Sequence, residues 1–157
     1  MAIAVGTKAP EFSLVADNKE TVTLSDYQGR NLVILFFPLA YTGVCTTELC
    51  TMRDDIANYS NMNADIVAIS VDSPFVLENF KKDQNLNFPL LSDFNKEASK
   101  AYDSLYEEFP AFGMQGVSMR SAFVVDKDGV VKYQEVCASP GDLPNFAAIK
   151  ETLSQLN

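Results

Sequence analysis

The residue with the clearest capacity for chemistry is Cys45. It closes the segment Pro38-Leu39-Ala40-Tyr41-Thr42-Gly43-Val44-Cys45, which follows directly on the apolar run Asn31 to Phe37 and leads into a helix-like stretch. A cysteine at such a strand-to-helix junction meets unpaired backbone N–H groups and the positive end of a helix dipole, and both favour a thiolate. A thiolate used as a nucleophile also needs hydrogen-bond donors for the group it attacks and a pocket that excludes bulk water. Thr42 can place its hydroxyl and backbone N–H beside the sulfur, while Pro38 fixes the entry of the loop and offers an apolar shield. Taken alone, Cys45 reads as a small buried hydrophobe and Thr42 as a helix cap.

Composition narrows what else the chain can do. The 157 residues, 47% of them hydrophobic, suit one domain spanning residues 1–157 with a core that needs no staples. Twelve basic against 21 acidic residues leave a net charge of -9, with no basic run to neutralise phosphates, so nucleic acid and anionic membrane are poor partners. The start Met1-Ala2-Ile3-Ala4-Val5 lacks a basic region and is followed by Gly6, Thr7 and Lys8, unlike a signal peptide. No apolar run approaches about 18 residues. The expected location is the cytoplasm. Three cysteines are too few for a disulfide framework. The absence of histidine removes Cys-His and Ser-His nucleophiles and most zinc or transition-metal sites.

The elements that must position Cys45 follow from periodicity. Glu11 to Ala16 and Thr21 to Leu24, around Asp17-Asn18-Lys19-Glu20, predict an N-terminal hairpin, and Ser25 to Gly29 a capped single turn. The continuous apolar runs Leu32 to Phe37 and Asp65 to Val71 predict central strands covered on both faces. Between them Cys45, Leu49, Met52, Ile56 and Tyr59 step by four, three, four and three along one helix face, completing a βαβ unit. Ser73-Pro74 opens a helix over Phe75 to Gln84. A strand over Phe88 to Leu91 and a helix over Lys96 to Leu105 come next. After a loop holding Phe109, Phe112, Gly113 and Gly116, strands Ser121 to Asp126 and Val130 to Val136 flank the turn Lys127-Asp128-Gly129, and a helix runs from about Leu143 to Leu156. This order predicts an α/β sandwich with a mixed sheet. Phe109, Phe112, Met114 and Met119 can line a pocket or a dimer face, although core packing is the ordinary use of such residues.

Pro38-x-x-x-Thr42-x-x-Cys45 matches the peroxiredoxin signature, and Arg120 stands where that family places an arginine. The chain resembles a peroxiredoxin over essentially its whole length. The segment Phe36 to Cys45 with Glu48-Leu49 is most similar to the alkyl hydroperoxide reductase E branch, whose members often lack a resolving cysteine, whereas Cys50 resembles the bacterioferritin-comigratory branch. The resemblance implies a thioredoxin-like fold with an N-terminal extension, a homodimer, a peroxide substrate, a thioredoxin-like or low-molecular-weight thiol reductant, and no haem, flavin or metal cofactor. Arg120 presents a rigid donor fork that can hold a thiolate and polarise a peroxide together. Glu48, one helical turn from Cys45, can orient that guanidinium. On their own, Arg120 reads as a surface ion pair and Glu48 as an ordinary first-turn acid.

The expected activity is thiol-dependent reduction of hydrogen peroxide or organic hydroperoxides through a Cys45 sulfenic acid. Cys50 is the first candidate to resolve it. On an intact helix the two residues differ by roughly 7.5 Å of rise and about 140° of rotation, so a disulfide requires the first turns to unwind. Cys137, at the end of a strand, reads as a partly buried thiol or as a distant resolving or intermolecular partner. Two rivals remain. A thioredoxin-like disulfide oxidoreductase wants Cys-x-x-Cys, usually with tryptophan, but this chain has Cys-x-x-x-x-Cys, no tryptophan, and Arg120-Ser121 where thioredoxins carry proline. A non-enzymatic peroxide sensor would need only slow, stoichiometric oxidation of Cys45.

Overall fold

A computed structural model describes residues 3–156; Met1 and Ala2 of the segment read for a signal, and Asn157, lie outside the described residues. The chain runs β1 (Ser13–Ala16), β2 (Thr21–Thr23), a 3-10 turn (Leu24–Tyr27), β3 (Asn31–Phe36), α1 (Gly43–Asp54), α2 (Ile56–Asn61), β4 (Ala64–Ser70), α3 (Pro74–Gln84), β5 (Leu90–Ser92) and α4 (Glu97–Ala101). It continues through β6 (Leu105–Tyr106), β7 (Val117–Ser118), β8 (Ser121–Val125), β9 (Val131–Val136) and α5 (Phe146–Gln155). Seven strands form one sheet in the order β2-β1-β5-β4-β3-β8-β9, and β6 and β7 make a separate ribbon. The pairs β3–β4 and β4–β5 are parallel, whereas β1–β2, β1–β5, β3–β8 and β8–β9 are antiparallel. This is the mixed thioredoxin-like sheet expected, with the N-terminal hairpin extending one edge.

The central strand explains the core. Every residue of β3 is buried, and alternate side chains enter opposite layers: Val33 and Leu35 on one face, Leu32, Ile34 and Phe36 on the other. Truncating Ile34 or Leu35 to alanine costs about 2–5 kcal/mol. Register then places the chemistry. Because β8 runs antiparallel to β3 with Ser121 opposite Phe36, Arg120 lies at the sheet end where β3 releases its chain into Pro38. Val136 pairs with Ser121, and the Cys137 N–H donates to the Arg120 carbonyl at 2.9 Å, so the end of β9 arrives at the same place.

Several strand ends shift by one or two residues, the strand expected over Phe88 to Leu91 running Leu90–Ser92, and four differences are larger. The helix expected to run unbroken through Tyr59 stops at Asp55, whose backbone (φ −106°, ψ 9°) leaves the helical path while its carboxylate binds Lys150 at 2.7 Å. The helix expected to reach Leu105 ends at Ala101, because Asp103 adopts φ 51° and the Ser104 N–H returns to the Ser99 carbonyl. Leu105 instead joins the ribbon with Val117–Ser118, a stretch read as loop. The last helix begins at Phe146 rather than Leu143, since the Asn145 side chain caps it by accepting from the Ala148 N–H at 3.0 Å. No helix among the described residues is long and apolar enough to cross a membrane.

Candidate active site

Thr42 is the N-terminal cap residue of α1 by backbone geometry, which places Cys45 in the first turn. Cys45 is 1% exposed. Arg120 Nη2 donates to Cys45 Sγ at 3.2 Å, so a sulfur that attacks as thiolate has a cation beside it. The same guanidinium donates through Nη1 to Glu48 Oε1 at 2.6 Å, and through Nη2 and Nε to the Pro140 carbonyl at 2.9 and 3.3 Å. Arg120 is 2% exposed and Glu48 fully buried. Cys45, Glu48 and Arg120 therefore meet as the sequence predicts, and Glu48 orients the arginine from the helix that carries the nucleophile.

The electrostatics of this cluster are those of charge removed from water. Burial lifts the Glu48 carboxyl from its ordinary 4.5 to about 7; Arg120 opposes the shift, and Glu135 adds to it. Glu48 Oε2 has no hydrogen-bond partner among the described residues, so Arg120 is held through Oε1 alone. Burial works against the charge of Arg120, but Glu48 and the Cys45 sulfur outweigh it and hold the guanidinium above its usual value.

The remaining candidates separate. Pro38 is buried and lines, with Thr42, Cys45 and Arg120, a cleft of about 470 Å³. Phe109, Phe112 and Met114 form its apolar wall, so these residues serve the cleft rather than the core. Phe112 is 93% exposed and holds φ 61°. The Thr42 hydroxyl corrects one expectation: it donates to the Leu39 carbonyl at 2.8 Å, and among the described residues no hydrogen bond joins it to the sulfur. Its carbonyl accepts from the Thr46 N–H at 2.9 Å, so its role in this form is to shape the loop and start the helix.

Cys50 is half-buried on α1, its sulfur 3.6 Å from Gln84 Oε1 of α3. Cys137 is buried, 4.0 Å from Glu135 Oε2, and burial with Glu135 and Glu48 pushes its thiol up to about 11. All three cysteines are free. Among the described residues no group of three or more Cys, Asp or Glu side chains is placed to hold a metal ion.

Several residues that support the site escaped the sequence reading. The Pro140 carbonyl, which takes two bonds from Arg120, is a backbone group without a residue-type signal. Asp72 Oδ2 accepts from the Ala40 N–H at 2.8 Å and so ties the loop before Cys45 to the segment after β4. Four buried serines hold the backbone around Arg120: Ser99 and Ser118 share a bond of 2.7 Å, and Ser121 donates to Ser104 at 2.9 Å. Each stands beside or near a charged residue in the sequence, so nothing local marked it as buried, and the Ser99–Ser118 bond depends on the ribbon β6–β7.

Comparison with known proteins agrees with this geometry. Residues 5–134 match the model of the AhpC/TSA family, a span that includes Cys45, Glu48, Cys50 and Arg120 but stops short of Cys137 and Pro140. The chain is 37% identical over 155 residues to alkyl hydroperoxide reductase E of Mycobacterium tuberculosis, covering 97% of each chain. It is 38% identical over 130 residues to peroxiredoxin Bcp of Bacillus subtilis, covering 82% of each. The crystal structure of a peroxiredoxin-like protein from Aquifex aeolicus superposes with a TM-score of 0.89 at 25% identity, covering all of this chain and 90% of the other. The reactive-cysteine fold, the buried arginine on its sulfur and these likenesses converge: the chain belongs to the AhpC/TSA family, the peroxiredoxins, and is a thiol peroxidase.

Proposed function

We propose that Cys45 is the residue oxidised by peroxide, that Arg120 holds its sulfur and the incoming oxygens, and that Cys50 of the same chain resolves the product. The observation that carries the first part is the 3.2 Å contact from Arg120 Nη2 to Cys45 Sγ, made while Nη1 is fixed on buried Glu48. The Cys45 thiolate attacks the outer oxygen of the peroxide. An S–O bond forms as the O–O bond breaks, the leaving oxygen takes a proton as water or alcohol, and Cys45 becomes a sulfenic acid. A preorganised cation beside both atoms stabilises the charge that moves between them. The apolar wall of Phe109, Phe112 and Met114 favours organic hydroperoxides alongside hydrogen peroxide.

The second part rests on how α1 is built. Thr46, Thr47 and Thr51 each turn their hydroxyls back to the carbonyl four residues earlier, at 2.8, 3.1 and 2.8 Å, a pattern that weakens and bends helices. The break at Asp55 isolates α1 from α2, so opening need not spread to buried Tyr59. Unwinding exposes Leu49, which costs about 1.5–3 kcal/mol and keeps the folded form dominant before oxidation. The Cys50 thiolate then attacks the Cys45 sulfur, water leaves, and an external thioredoxin-like dithiol or small thiol reduces the disulfide. Cys137 is the poorer partner, because burial pushes its thiol up to about 11 and thiol exchange needs the thiolate.

A homodimer and a cytoplasmic location complete the proposal. Phe112, nearly fully exposed beside the cleft, supports a second copy closing on that face. Sedimentation of the wild type and Phe112→Ser checks this: the variant dissociates at lower dilution, and identical behaviour removes Phe112 from the contact. Stopped-flow oxidation of the reduced protein, with turnover on a supplied dithiol, tests the catalytic part. Oxidation no faster than that of free cysteine would overturn it and leave the sensor reading.

A further inference from the structure

We infer that Asp72 is a positioning residue of this peroxidase: by clamping the Ala40 amide it holds the Cys45 loop in the form that meets peroxide and restrains the unwinding that precedes disulfide formation. The second half of this statement rests on the Cys45–Cys50 reading; the first does not.

A single carboxylate oxygen makes the clamp. Asp72 Oδ2 accepts from the Ala40 N–H at 2.8 Å and from the Ser70 hydroxyl at 2.7 Å. Asp72 is in turn fixed from two strands of the sheet. Its N–H donates to Ser70 Oγ at 3.2 Å, and the Ser92 hydroxyl donates to its carbonyl at 2.6 Å. Ser70 is fully buried and Ser92 nearly so. The carboxylate is therefore presented to the loop from a rigid support.

The loop it grips is otherwise held lightly. Tyr41, next to Ala40, is 52% exposed and takes φ 67°, a backbone conformation that side chains other than glycine rarely adopt. Its hydroxyl donates to Asp83 of α3 at 2.8 Å, and its ring meets Phe80 with centroids 5.0 Å apart. One residue later Thr42 begins α1. Releasing the Ala40 N–H lets Tyr41 leave its unfavourable conformation, and that rotation is passed through Thr42 to the first turn, carrying the Cys45 sulfur away from Arg120. Residues held in such conformations persist only where their surroundings over-determine them.

The two chemical steps therefore respond in opposite directions, which a merely structural role would not produce. Both of the carboxylate's bonds fall on one oxygen, so an asparagine that puts its Oδ1 there keeps them, whereas alanine loses both. Oxidation of reduced protein by hydrogen peroxide and the later formation of the Cys45–Cys50 disulfide are followed by stopped flow in wild type, Asp72→Asn and Asp72→Ala. Asp72→Ala slows the first step by about tenfold, the cost of a modest misplacement of reacting groups, and speeds the second. Asp72→Asn stays close to wild type in both. Tyr41→Phe, which cannot disturb the fold from inside, moves both rates in the same directions as Asp72→Ala but less. Slowing of both steps, no change in either, or an asparagine variant as impaired as alanine would overturn the inference. If wild type forms no Cys45–Cys50 disulfide, the recycling reading fails, and the oxidation rates of the two Asp72 variants still decide whether the clamp exists.

Discussion

The two halves of the proposed catalytic centre are built differently. Arg120 is set in the sheet end: its carbonyl receives the Cys137 N–H, the Met119 N–H reaches the Ser104 carbonyl at 2.6 Å, and Ser118 and Ser121 are each bonded to another fully buried serine. Cys45 lies in the first turn of a helix whose entry, Tyr41, Thr42 and Gly43, is exposed and which three back-bonded threonines weaken. The difference follows the chemistry. A cation that stabilises charge works best when it does not reorganise, whereas on the proposed recycling a sulfur that first meets a peroxide and then a second cysteine has to move. Glu48 joins the halves, since it rides on the helix and binds the fixed arginine.

Variants can break each half separately. Cys45→Ser removes the sulfur itself and is expected to abolish peroxide consumption while leaving the fold intact; a variant retaining even a measurable fraction of the second-order rate would contradict its assignment. Arg120→Ala removes the fixed donor and slows oxidation of Cys45 by about 10²–10³-fold, with Arg120→Lys recovering only part because an ammonium lacks the planar fork. Stopped-flow rates across the pH range check both, and an unchanged rate in the alanine variant would detach Arg120 from the site.

The link between the halves has its own signature. Folded Glu48 keeps its proton to about 7 instead of the ordinary 4.5. The folded state then binds more protons than the unfolded one across that window, so this contribution to stability is full below 4.5 and is lost as pH rises through about 7. The loss amounts to about 3 kcal/mol at ~1.4 kcal/mol per pH unit. Urea unfolding of the reduced protein at several pH values, compared with Glu48→Gln, isolates it: the wild type loses stability relative to the variant as pH rises, and parallel curves would contradict the buried acid. The smallest effect belongs to Cys137→Ser, which should leave both the oxidation rate and the disulfide product as in wild type. Iodoacetamide labelling at pH 8 gives the matching readout, with Cys137 slower than Cys50 because burial holds its thiol near 11.

Much of the fold was legible because its signals are local. The all-apolar β3, the Ser73-Pro74 start of α3 and the Lys127-Asp128-Gly129 turn each carry their own pattern, and they give the sheet its parallel centre and antiparallel edge. Cys45, Glu48 and Arg120 were legible by type and spacing, and the register of Phe36 opposite Ser121 makes them meet. What escaped depends on long-range backbone geometry. The stop at Asp55 is coupled to Lys150, 95 residues away, and the strand at Val117–Ser118 exists only because Leu105–Tyr106 pairs with it. Thr42 was expected at the sulfur, but its hydroxyl donates instead to the Leu39 carbonyl three residues back. Asp72 and Pro140 reach the site through one carboxylate and one carbonyl that no local periodicity marks.

The division into a fixed half and a moving half is tested most directly by intact-mass and peptide analysis after one equivalent of hydrogen peroxide. The account predicts a loss of two hydrogens, a Cys45–Cys50 link and a fall in helix content, and in Cys50→Ser a sulfenic acid that can be trapped. A wild-type product carrying one added oxygen, or a link from Cys45 to Cys137, would contradict it.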